Sequence, residues 1–100
     1  MGTVAESALA PADCERLIGD RRFRRRFDAA YRGSADPGDA LWWLAHPDER
    51  GPSGADTPRR PLPELRRQVY RPGAEPAAVV ELTNALDRID RERAATLAAL

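Results

Sequence analysis

No lysine occurs in this chain: all sixteen basic residues are arginine, while Asn84 and Gln68 are its only side-chain amides. With alanine abundant, that is the mark of GC-rich codons. Guanidinium groups favour planar, bidentate contacts that an ammonium group cannot make, but codon bias accounts for the replacement without selection for such contacts.

Cysteine and histidine are equally scarce. Cys14 stands alone, which excludes an intrachain disulfide. Together with the single histidine, His46, it forms no CxxC, HxxxH or HExxH spacing, so no metal site is expected. No glycine-rich phosphate loop of the GxxxxGKT or GxGxxG kind is present, and no cofactor is expected. Long apolar runs are missing too. Nothing approaches the roughly twenty residues of a membrane helix, and residues 1–12 have neither the basic start nor the apolar run of a secretory signal. The expectation is a cytoplasmic protein with no membrane partner.

Large aliphatic side chains are few. Leu, Ile, Val and Phe make 18 of the 100 residues, just under the roughly one-fifth that warns of disorder when net charge is also high. The formal net charge is zero. The chain is therefore expected to fold as one domain over residues 1–100, around a thin core that an oligomer or a partner can supplement.

What is present reads as helices. Thr3 and Glu6 have capping-box spacing, but Pro11 interrupts anything they start, and residues 1–9 read as a loose arm. Pro11 or Asp13 opens a short helix through Ile18, Gly19 stops it, and Asp20 caps the next. Phe23, Phe27, Ala30 and Tyr31 then mark one face of a helix over 21–32, ended by Gly33. Asp36-Pro37-Gly38-Asp39 supplies a cap, a first-turn proline and an acidic first turn for a helix carrying Leu41, Trp42, Trp43 and Leu44. Pro47 stops it.

Residues 47–61 hold four prolines and two glycines and read as a loop, within which residues 48–60 are expected to be the most protease-sensitive internal segment. Leu62, Leu65 and Val69 share a face through Tyr70 in a helix that Pro63 opens and Pro72-Gly73 breaks. Pro76 starts the last and longest helix. No β-strand alternation or internal repeat competes. The expected fold class is all-α: a small bundle of four to five short helices with a long C-terminal helix and a Pro/Gly-rich internal loop.

In the last helix Val79, Leu82, Leu86 and Ile89 alternate at spacings of three and four, a coiled-coil-like seam. The next seam positions are Arg93 and Thr96, so the heptad fails after two repeats. The seam is expected to pack within the bundle or to pair two copies in a homodimer. Asp87 and Arg91 add an i, i+4 pair.

Few residues could carry chemistry. A thiolate nucleophile needs a base, and Cys14 with His46 is the one pairing available, each explained as well by a small core residue and a helix-end residue. Asp87, Asp90 and Glu92 are interleaved with Arg88, Arg91 and Arg93, which reads as a solvated, mutually paired face. Catalysis is not expected.

Two clusters remain. Arg21, Arg22, Arg24, Arg25 and Arg26 surround Phe23 and can neutralise phosphates, or be the solvated side of an amphipathic helix. Charge alternates along the chain: residues 16–32 carry seven Arg against two Asp, residues 36–56 five acids against one Arg, and residues 59–71 five Arg against one Glu. Such blocks suit contacts within the chain or with a similarly patterned partner better than a uniformly basic surface. Trp42 and Trp43 point about 100° apart on a helix, so either one enters the core while the other forms a partner hot spot at its rim, or both are buried in a core short of large side chains. These features point to a protein–protein interaction or regulatory module that binds a protein partner or itself through Trp42, Trp43, Val79, Leu82, Leu86 and Ile89. The alternative is a nucleic-acid-binding protein that uses the arginines of residues 21–26.

Overall fold

The computed structural model describes residues 11–100. The capping box at Thr3 and the arm at residues 1–9 lie outside the described residues. Among those described, five helices and no strand are present: α1 (Pro11–Ile18), α2 (Arg21–Ala30), α3 (Pro37–Ala45), α4 (Leu62–Tyr70) and α5 (Pro76–Ala99). Local chemistry sets most of their ends. The Asp20 carboxylate accepts the Phe23 N–H at 3.0 Å, and that of Asp36 accepts the Asp39 N–H at 3.1 Å, each satisfying a donor that a helix start leaves free. Helix α2 stops at Ala30, two residues before Arg32, because Tyr31 turns into extended backbone.

Helices α1, α2 and α3 pack with the C-terminal end of α5 around Cys14, Phe27, Tyr31, Ala40, Leu41 and Leu44. Phe23, Phe27 and Tyr31 stack in series along α2, with ring centroids 5.9 and 5.7 Å apart. Among the described residues, helix α4 packs on α5 and on no other helix. Its Leu62 is fully covered, and Ala78 and Ala85 of α5 are buried outside the main core cluster. Alanine at those positions lets a helix backbone come close. The result is elongated, 52 × 34 × 23 Å with a radius of gyration of 15.5 Å, against roughly 13 Å for a compact chain of this length.

The seam of α5 is shifted from the one the large side chains mark. The covered positions are Ala78, Leu82, Ala85, Ile89, Glu92 and Thr96, whereas Val79 is 48% and Leu86 37% exposed. At 100° per residue, Val79 and Leu86 stand to one side of the buried line. Small alanines face the neighbours because the short helices lie close, and two of the four large seam residues are left at the surface.

Residues 46–61 contain no helix, as their composition implies, yet they are fastened to the bundle. The Asp39 carboxylate, 1% exposed at the first turn of α3, accepts from the Ser53 N–H at 2.9 Å and from the Ser53 hydroxyl. Gly51 lies against this carboxylate so closely that a Cβ there would come within 2.4 Å of it. The Trp43 indole donates to the Glu49 carbonyl at 2.8 Å, and the Thr57 hydroxyl donates to the Pro47 carbonyl. Arg59 reaches Asp48 at 3.1 Å.

Candidate functional site

Between α3, α5 and the fastened loop lies an open groove of about 260 Å³. Helix α3 contributes Ala40, Trp43 and Leu44, the loop contributes Pro58, and α5 contributes Ile89 and Thr96. The Trp43 side chain is fixed by its bond to the Glu49 carbonyl, so the loop holds the largest wall of the groove in place. Thr96 donates its hydroxyl to the Glu92 carbonyl one turn earlier at 2.8 Å, which satisfies the polar atom inside its own helix.

The rim is charged, by Asp56, Arg59, Arg88, Glu92 and Arg93. Its two carboxylates are already occupied. Glu92 accepts from the Tyr31 hydroxyl at 2.9 Å, from the Ser34 N–H at 3.0 Å and from the Ser34 hydroxyl at 2.8 Å. Burial pushes the Glu92 carboxyl up, but the Ser34 and Tyr31 donors together outweigh it and hold the group below the usual carboxylate range. Burial, followed by the hydrogen bond to Glu92, pushes the Tyr31 phenol up to about 12. Gly33 permits this arrangement, since a Cβ at that residue would fall 2.1 Å from the Tyr31 oxygen. Asp56 is bracketed by Arg60 at 3.2 Å and Arg50 at 3.6 Å. Among the described residues, Arg88 and Arg93 have no carboxylate within ion-pair distance, so the unbalanced charge at the groove is positive.

The chain matches no protein-family model, no curated protein and no solved structure. The functional reading therefore rests on this geometry.

Of the residues singled out by sequence, the structure brings Trp43 and Ile89 to one groove. Leu82 continues the covered face of α5, while Val79 and Leu86 form an exposed strip beside it. Trp42 is elsewhere: its ring stacks on His46 at 4.0 Å, and its indole nitrogen is buried without a partner among the described residues. His46 is not poised over Cys14. Its Nδ1 lies 3.1 Å from Glu49 and its Nε2 3.7 Å from Glu15, whereas the Cys14 thiol donates to the Leu41 carbonyl at 3.1 Å. Burial, and after it the Glu15 charge, pushes the Cys14 thiol up, away from the thiolate a nucleophile needs.

Four of the clustered arginines, Arg21, Arg22, Arg25 and Arg26, are exposed on α2 with no ion pair among the described residues. Arg24 is half-buried and paired with Asp28 at 3.3 Å. Sequence reasoning missed Tyr31, Ser34, Asp39, Arg88 and Arg93 as site-forming residues. Local spacing groups Glu92 with Asp87 and Asp90 as a solvated face, but its partners lie 58 and 61 positions away, where nothing in that spacing announces them.

Proposed function

We propose that this chain is a small helical interaction module that acts by binding another protein, with the groove of Trp43 and Ile89 as its docking place. The observation that supports this reading is the meeting of a fixed tryptophan, a half-buried isoleucine and two arginines without an ion pair among the described residues around an open apolar groove. Tryptophan and arginine are the side chains over-represented where partners bind most strongly. Selection of a displayed random-peptide library on the purified protein tests it. Enriched peptides should lose binding to Ile89→Glu and Trp43→Ala while keeping it to Val80→Glu, which alters an exposed position away from the groove. Equal binding to all four proteins would overturn the reading.

The exposed strip of Val79 and Leu86 supports a self-binding form of the same activity, a homodimer closed along α5. Sedimentation velocity at rising concentration separates the two: a second copy gives a species of twice the mass.

The exposed arginines of α2, without an ion pair among the described residues, favour a second reading, nucleic-acid binding through Arg21, Arg22, Arg25 and Arg26. Its signature is affinity for random duplex that falls steeply with salt. Absence of binding at low ionic strength would remove it.

A further inference from the structure

We infer that the occupant of the groove is a short acidic segment of a partner protein, one that inserts a bulky apolar side chain and sets carboxylates against Arg88 and Arg93. This inference rests on the proposed docking role of the groove and specifies what docks there.

Size comes first. A cavity of about 260 Å³ is below the roughly 300–1,000 Å³ of sites that enclose a whole small-molecule ligand, yet larger than the roughly 150 Å³ that holds benzene. One phenyl or indole side chain fits, with its backbone outside. The walls are suited to such an anchor: Trp43 offers a ring edge or face, and Leu44 and Ile89 offer aliphatic surface.

Charge then selects the flanks. Both rim carboxylates are satisfied from within the chain, Glu92 by Tyr31 and Ser34 and Asp56 by Arg50 and Arg60. Arg59 is satisfied by Asp48. What remains is Arg88 and Arg93, five positions apart and lining the groove with Ile89 between them in sequence. An apolar anchor with neutral flanks would leave those guanidiniums unpaired beside a newly covered surface; carboxylates would pair with them in bidentate fashion. Basic flanks would be repelled. The exposed Leu86, one turn before Ile89, extends the apolar surface for a residue beyond the anchor.

Fluorescein-labelled twelve-residue peptides carrying one central Trp test this, in three sets: Asp and Glu flanks, Asn and Gln flanks, and Arg flanks. Fluorescence anisotropy with the full chain should rank the acidic set at least tenfold tighter than the neutral set, with no binding by the basic set. Arg88→Glu and Arg93→Glu should each weaken the acidic set about tenfold or more and leave the neutral set unchanged, with circular dichroism reporting an intact fold. Equal binding of acidic and neutral sets, abolished in both by Ile89→Glu, would overturn the acidic occupant while leaving the docking role standing. Failure of every set to bind would overturn both. Indole-3-acetate is the small-molecule arm: displacement of the acidic peptide by this free aromatic carboxylate at an equal concentration would overturn a peptide occupant in favour of a small anion.

Discussion

The Tyr31 hydroxyl donates to Glu92 across a sequence separation of 61 residues, at 2.9 Å, and so ties the end of α2 to the middle of α5 at the edge of the groove. Hydrogen bonds to charged groups contribute roughly 1.5–3 kcal/mol, and partial exposure of this one places it at the lower end. Tyr31→Phe should therefore lower unfolding stability by about 1–2 kcal/mol in urea titration. An unchanged midpoint would show that the tie contributes nothing.

Both partners of that bond predict a pH dependence, with opposite senses. The folded Glu92 carboxyl lies below its ordinary value of 4.5, so its contribution is present above that pH and is lost as pH falls through the folded value. The Tyr31 phenol, raised from 10.0 to about 12, contributes fully below pH 10 and loses its contribution as pH rises towards 12. In Glu92→Gln the stability difference from the wild type should narrow as pH falls below 4.5. A difference that stays constant down to pH 3 would contradict the assignment.

Asp39 and the loop give a second test. The first internal trypsin cut in the wild type should follow Arg50 or Arg59, and Arg50 is the more exposed of the two. In Asp39→Ala the Ser53 N–H loses its buried acceptor; stability should fall by about 1–3 kcal/mol and cleavage after Arg50 should accelerate. Gly51→Ala should act in the same direction, because its Cβ has no room beside the Asp39 side chain. First cleavage within residues 21–26 would instead mean that α2 is not folded.

Cys14 should resist iodoacetamide at pH 8 in the native protein and react readily in urea, since its thiol is buried, pushed up and donating to the Leu41 carbonyl. Mass spectrometry that finds rapid native alkylation would show that α1 does not pack against α3 in solution.

Leu86→Glu should fold normally, with a loss within about 0.5 kcal/mol, as for ordinary surface substitutions, because the side chain reaches solvent. If light scattering detects a wild-type dimer, this variant should be its monomer. An unfolded Leu86→Glu protein by circular dichroism would place the residue in the core and contradict the exposure of this face.

The helices were legible in the sequence because their signals are local: Asp20, Asp36, Pro37 and Pro76 sit at or beside the starts they mark, and Phe23 and Phe27 give the inward face of α2. The groove was legible only in its two largest walls, Trp43 and Ile89. What joins them is non-local. The bonds of Glu92 to Ser34 and of Asp39 to Ser53 connect residues whose polarity alone reads as surface or turn, and the alanines that bring α4 onto α5 carry too little apolar area to announce a buried line against Val79 and Leu86.

Helix α5 belongs to two neighbourhoods at once: its C-terminal end is part of the main core, while α4, among the described helices, leans on it alone. A helix held from one side only can peel away without disturbing what the far end of its support is doing. Local opening of α4 should therefore precede that of the core, and its amide protons should exchange with deuterated water before those of α3. Because the loop that carries Pro58 and Arg59 leads straight into α4, such opening would draw on one lip of the groove and so couple binding to it.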